Sequence, residues 1–338
     1  MTTSAVLGSR SSVLFDKLAT IKDTIATATL QYNNRQVDID NFNSYTTELR
    51  LLQSYSLFNQ KSSIAVGFQY MNNNLHRRQQ GKGTTGTDFD LSLVNPVWGR
   101  NLNYKTSNFA FFAENRFLLT KKWSVNAGFR MEIGETNMSG EISYYADSAV
   151  PNKIKHNFPL LGFNSQFNLT QDINLYAGWS QAYRPVIFKD IIPQSVYEVS
   201  DKNLKDAFGY NAEIGFRGKW KFLKWDFSGF LLQYNNRLGT LAQTDSLGNL
   251  IIFRTNIGNA RTAGLEMFVQ SDFNLSPRTS VSVFTSSSFM DGRYQEATVR
   301  SGGANVSIKG NKVESVPTWI SRSGLTFKYS IFQLSLLY

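Results

Sequence analysis

"WSVNAGFRMEIG", residues 123–134, sorts its side chains completely by parity. Trp123, Val125, Ala127, Phe129, Met131 and Ile133 are apolar, whereas Ser124, Asn126, Gly128, Arg130, Glu132 and Gly134 are polar or bear no side chain. Successive side chains of a strand point to opposite faces, so this stretch makes a strand with one oily face and one wet face. A one-residue slip in pairing would turn Arg130 and Glu132 into the oily side, which fixes the register.

The pattern recurs. Pro159, Leu161, Phe163, Phe167 and Leu169 oppose Gly162, Asn164, Gln166 and Asn168, and Ile173, Leu175, Ala177 and Trp179 oppose Asn174, Tyr176, Gly178 and Ser180. Tyr210, Ala212, Ile214, Phe216 and Trp220 face away from Asn211, Glu213, Gly215, Arg217 and Lys219. Leu265, Met267, Val269, Phe273 and Leu275 do the same against Thr262, Gly264, Glu266, Gln270, Asp272 and Asn274. Weaker versions cover 45–57, 62–70, 107–119, 225–237, 281–289 and 321–338, about 13 strands in all. Short polar turns near residues 60, 121, 171, 223, 277 and 330 alternate with long polar connections at 71–105, 135–157, 185–207, 238–258 and 290–316. Gly258 and Gly264 are read as the place where one such connection re-enters as a strand, glycine permitting the bend or a close strand approach.

A soluble β-sandwich also alternates oily and polar residues. Two features favour a membrane barrel instead. The strands run to about 10–14 residues, against a mode near 5 or 6 in soluble proteins, and about 10 tilted residues cross a bilayer. Short and long connections also alternate, as they do when one set of turns faces the periplasm and the other the outside. Trp123 and Trp225 follow tight turns and Trp220 precedes one, the placement of an aromatic girdle. The longest apolar run, "FAFFA" at 109–113, is far short of the roughly 20 residues of a spanning helix. The fold expected is therefore all-β: an antiparallel transmembrane outer-membrane β-barrel with short periplasmic turns and long extracellular loops.

The 338 residues include no cysteine and two histidines, carry a net charge of +10 and have a mean hydropathy of −0.28. Without cysteine there are no disulfides, thiolate metal sites or cysteine nucleophiles. His76 and His156 lie in long connections and are not spaced as ligands of one metal. No nucleophile elbow, phosphate loop or paired-carboxylate motif is present, so neither an enzyme nor a cofactor is expected. Charges interrupt every apolar run of "MTTSAVLGSRSSVLFDKL", which therefore does not read as a signal peptide.

Charged residues on the polar faces, Glu114, Arg116, Arg130, Glu132, Glu213, Arg217, Glu266, Arg322 and Lys328, are of mixed sign and suit a lumenal network of ion pairs. The basic surplus sits in the connections. "LHRRQQGKG" at 75–83 holds His76, Arg77 and Arg78, and Arg100, Arg184 and Arg254 lie in or beside others. Guanidinium binds carboxylates bidentately, so these six residues are the candidate contacts for an anionic ligand, with lipopolysaccharide phosphates as the competing partner. Dispersal over several connections, mixed with acids, argues against nucleic acid.

Several segments resemble the barrel of the TonB-dependent outer-membrane receptors. "LYAGWSQAYRP" (175–185), "NLKDAFGYNAEIGFRG" (203–218), "TNIGNARTAGLEM" (255–267) and "GNKVESVPTWISRSGLTFKY" (310–329) fall in that family's order after "WSVNAGFRME" (123–132). The likeness covers about residues 40–338, and "NIGNARTAGLE" with "NKVESVPTWISRSGLTF" is most similar to ferric-citrate-type receptors, although "NLKDAFGYN" departs from the commoner Pro-Glu after Leu-Lys. The resemblance implies a 22-strand barrel, an N-terminal plug, capture of a ferric chelate (citrate or a siderophore) by outer loops, uptake powered by the TonB complex, and the outer membrane of a Gram-negative bacterium. On this reading residues 1–338 are a barrel fragment without the plug. A passive, porin-like outer-membrane barrel and a soluble β-rich binding domain are the alternatives.

Overall fold

The computed structural model describes residues 2–14, 25–85, 90–145, 152–193, 197–245 and 247–338. In chain order the strands are β1 (Thr2–Leu14), β2 (Ile25–Ala26), β3 (Gln31–Tyr32), β4 (Gln36–Leu57), β5 (Gln60–Gly83), β6 (Leu93–Asn95), β7 (Arg100–Leu118), β8 (Trp123–Ile142) and β9 (Lys153–Asn168). They continue as β10 (Ile173–Arg184), β11 (Glu198–Ser200), β12 (Ala207–Trp220), β13 (Leu223–Thr244), β14 (Leu250–Ser276), β15 (Thr279–Ser301), β16 (Ala304–Ser307), β17 (Trp319–Tyr329) and β18 (Phe332–Leu337), with one helical turn, α1 (Phe188–Ile191). Apart from the β2-β3 pair, the strands form a single 16-stranded sheet. β6, β11 and β16 pair at its margin, and the rest follow one another as an antiparallel meander from β1 to β18. Among the described residues β1 and β18 do not pair, so the sheet is open.

Register shows why one face is oily. Leu51, Val66, Ala113, Phe129 and Leu161 lie directly opposite one another across β4, β5, β7, β8 and β9. The next row, on the other face, reads Arg50, Gly67, Phe112, Arg130 and Leu160. Trp123, Phe129 and Ile133 are 41%, 44% and 43% exposed, not sandwiched inside a globule. Trp123 and Trp220 project from the same face beside the short turns, as a girdle requires.

The wet face carries the expected polar network, built more from mixed hydrogen bonds than from ion pairs. Arg130 donates to Glu132 at 2.5 Å and to Gln69 at 2.8 Å, and Asn108 reaches the other Glu132 oxygen at 2.5 Å. The Tyr176 hydroxyl lies 2.8 Å from Asp226 and 3.1 Å from Glu213, and Arg217 donates to Asn174 and Gln166 at 3.0 and 3.2 Å. Among the described residues Glu114, Arg116, Arg322 and Lys328 form no ion pair.

The structure corrects the reading of the long connections. β5, β7, β13, β14 and β15 are 19 to 27 residues long, so much of what reads as polar loop is paired strand standing beyond the membrane band. There the faces meet water or other protein segments, and the alternation that betrays a strand in lipid disappears. His76, Arg77 and Arg78 accordingly lie in β5, Arg100 in β7, Arg184 in β10 and Arg254 in β14. Gly258 and Gly264 lie inside β14, which starts at Leu250, and do not mark its entry. Gly264 does mark a close approach: a Cβ there would stand 2.6 Å from the Phe230 ring and the Phe289 carbonyl oxygen. β1 is a further strand, outside the stretch that carries the resemblance.

Candidate functional site

At the long-connection end the wet face is not left open. Residues 185–193 turn inward and lay α1 against β7 and β8, where Val186, Phe188, Ile191 and Ile192 bury themselves with Leu102 and Ile142. Leu102 and Ile142 share the parity of Glu114 and Glu132, so this apolar patch belongs to the inner face. The Tyr104 and Phe188 rings lie 5.3 Å apart. Four residues make a weak helix, and what holds this one is tertiary. Asp190, itself 6% exposed, accepts the Ile187 amide at 3.1 Å and pairs with Arg184 at 2.8 Å.

Arginines buttress the segment from three sides. Arg184 grips Asp190; Arg100, 7% exposed, donates to the Tyr144 hydroxyl at 2.5 Å and to the Pro193 carbonyl at 3.2 Å. Arg254 donates to Glu198 at 2.6 Å and to the Lys189 carbonyl at 3.5 Å. Arg77, bound to Asp40 through Nε and Nη2 at 2.9 and 2.8 Å, lines a cavity of about 190 Å³ beneath Phe188 and Lys189. The structure thus gathers Arg77, Arg100, Arg184 and Arg254 around one inward segment. It leaves His76 and Arg78 on the opposite face, where His76 meets Asn101 at 2.8 Å and Arg78 donates to Asn41 at 2.8 Å beside the Trp98 ring.

The cavity adds groups outside the six candidates: Asn73, Tyr104, Thr106, Thr136 and His156. The His156 Nδ1 and Asn73 Oδ1 atoms are shielded from solvent with no hydrogen-bond partner among the described residues. Burial pushes the His156 pKa down, against the pull of Asp206, so the imidazole is neutral at pH 7. Burial raises the Tyr104 phenol to about 12, and Asp40 raises Arg77. Arg77 Nη1 makes no hydrogen bond among the described residues, and the Lys189 side chain is exposed with no ion pair among them. The available signal for these residues was parity: carried upward from Glu132, it puts 134 and 136, and by pairing 156 and 106, on the inner face.

A second inward segment follows β16. Val313, flanked by Ile308 and Val316, packs on Ala260, Tyr294 and Ala297. Glu314 meets the Tyr294 hydroxyl and pairs with Arg237 at 2.5 Å. The Tyr294 hydrogen bond first, and Arg237 with it, hold the Glu314 carboxyl below the usual glutamate range.

Asp190→Asn tests the first buttress at constant size. Losing the charge-assisted bonds of Asp190 should weaken docking of 185–193 by about 1–2 kcal/mol, read as roughly tenfold faster amide exchange there. Exchange unchanged in 185–193 would show that the apolar contacts alone hold it.

An oily outer face and a wet inner face, with long-end segments folded against the inner one, define the wall of a membrane β-barrel. The chain belongs to the TonB-dependent receptor family: it matches the family described as TonB dependent receptor-like, beta-barrel, over residues 6–338. That is a family of receptors and transporters, not of enzymes. The fold is similar to that of the ferric citrate transporter FecA in its unliganded form, with 20% identity, a TM-score of 0.69, and coverage of 91% of this chain and 43% of that one. It is also similar to the copper transporter OprC (13%, 0.68, 96% and 46%) and to the siderophore receptor PiuA from Acinetobacter baumannii (14%, 0.66, 89% and 46%). The chain spans less than half the length of each of these structures.

Proposed function

We propose that this chain is the ligand-facing wall of an outer-membrane receptor that imports a ferric chelate, citrate or a siderophore, in a Gram-negative bacterium. Uptake in this reading draws on the TonB complex through a plug domain outside these residues. The observation that carries it is the cavity under the arginine-held segment 185–193, where Arg77 Nη1, Lys189 and neutral His156 face one space. An anionic, hydroxyl-bearing chelate suits that set: cations meet carboxylates, and a neutral imidazole nitrogen accepts a hydroxyl proton. In this reading the iron travels as cargo inside its chelator. FecA and PiuA, which share the fold, are described as a ferric citrate transporter and a siderophore receptor.

The test is tryptophan fluorescence of the purified receptor titrated with ferric citrate and with a ferric hydroxamate. One of the two should bind, and Arg77→Ala should weaken it about tenfold or more, the worth of one charge-assisted hydrogen bond. No binding of either chelate, together with steady ion conductance in a planar bilayer, would establish the passive barrel instead.

A further inference from the structure

The outer face of the wall carries a feature that chelate uptake does not use. Ala212, Ile214, Gly229, Leu231, Ala263 and Leu265 line an apolar groove of about 760 Å³ across β12, β13 and β14, closed on the β15 side by Phe289 and Asp291. Gly229 is its floor, Ile214 and Leu265 are its banks, 67% and 66% exposed, and Trp319 stacks on Phe289 at 6.0 Å. The groove runs from mid-strand in β12 and β13 toward the long-connection end of the outer face.

Just above it Arg261 and Arg293 are direct cross-strand partners on the same face. Like charges placed opposite each other on a sheet destabilise it unless something neutral or negative intervenes. Arg293 has partial relief: it donates to Asp291 at 2.8 Å and to the Gly310 carbonyl at 2.9 Å. Arg261 is exposed and forms no ion pair among the described residues, and its other neighbour across the sheet is the neutral Gln233. A third cation joins them. Lys312 bridges to Arg293 and places its ammonium 2.8 Å from the hydroxyl of Thr318, which lines the groove. Three cations against one carboxylate, above an acyl-sized apolar trough, complement an amphiphile with phosphate at its head.

We propose that this face docks a phosphorylated, multiply acylated glycolipid of the outer leaflet, its phosphates bridging Arg261, Arg293 and Lys312 and an acyl chain lying over Gly229. The assignment rests on the outer-membrane placement above and not on which chelate is carried. The leaflet follows from the geometry, because the cations sit at the end with long connections, which faces outward. Phosphate between two guanidiniums also converts the repulsive Arg261–Arg293 pair into two charge-assisted contacts.

The receptor, purified from membranes and stripped of lipid in a neutral detergent, is melted with added diphosphoryl lipid A and with phosphatidylglycerol. Lipid A should raise the melting temperature by several degrees, and phosphatidylglycerol much less. Arg261→Gln should remove the lipid A shift without lowering the lipid-free melting temperature, since it relieves a repulsion. Ala263→Trp, which fills the trough and leaves the cations, should weaken lipid A about tenfold or more. A lipid A shift that survives in both variants, or one matched by phosphatidylglycerol, overturns the proposal. Ferric chelate titrated on the same samples separates the two readings, because Arg261→Gln leaves chelate affinity at the wild-type value.

Discussion

Phe129→Arg destabilises the receptor in lipid by about 2–4 kcal/mol, whereas Gly128→Arg, one residue away, stays within about 0.5 kcal/mol of wild type. The two positions are adjacent in β8 and face opposite ways. Phe129 sits six residues beyond Trp123, about halfway across the apolar band, between Ala113 and Leu161, and is 44% exposed on the oily face. A guanidinium there has only acyl chains around it, and the length of its stem does not reach either headgroup layer. Gly128 faces the bore, and a Cβ built on it meets nothing nearer than the Gly162 carbonyl oxygen at 3.9 Å. An arginine side chain therefore finds space, water and the Glu114 carboxylate, which is its direct cross-strand partner. Urea unfolding from lipid vesicles reads both variants. Phe129→Arg tolerated as well as Gly128→Arg would defeat the assignment of Phe129 to a lipid-facing surface.

What could be read from residue order follows from where water ends. Between Trp123 and Ile133 lipid lies on one side and water on the other, and that contrast is written into the chain residue by residue. Above Ile133 the same strand continues to Ile142, but both of its faces are wet or protein-covered, and the sequence looks like loop. The basic residues show a related limit. Sequence marks Arg100, Arg184 and Arg254 as cations near the mouth; it does not reveal that each is committed to Pro193, Asp190 and Glu198. Those partners are 93, 6 and 56 residues away in the chain, and only the meander brings the two distant ones together. Of the six candidates, Arg77 alone combines an inward face with a free guanidinium nitrogen beside a cavity. His76 and Arg78 differ from it by one residue of parity, which suffices to put them on the other side of the wall.

Gly258→Ala costs about 3 kcal/mol or more and loosens the long end while leaving the membrane band intact. Gly258 has φ +142, a region closed to residues with a Cβ, and an ideal Cβ would stand 1.6 Å from the Glu296 carbonyl oxygen and 2.6 Å from the Ala297 Cα. Both obstacles are backbone, so no side-chain rotation relieves the clash. The strain is local because three irregularities meet here: β13 shifts register on either side of Arg237, and β15 gains a residue between Glu296 and Tyr294. Asparagines hold the kink, with Asn259 accepting the Asn236 amide at 3.0 Å and Asn256 donating to the Asn236 carbonyl at 2.9 Å. Above the kink stands Arg254 with Glu198 and at it, on β13, Arg237 with Glu314, the contacts that dock the inward segments. A backbone that cannot close at Gly258 therefore frees both. Amide exchange should rise in 250–260 and 294–316 and stay unchanged in 265–289, and chelate affinity should fall with it. Gly302→Ala is the control: φ is +60, nothing lies within 4 Å, and its cost is about 1 kcal/mol of left-handed strain alone. Equal tolerance of the two substitutions would mean that the kink does not set the position of the arginines.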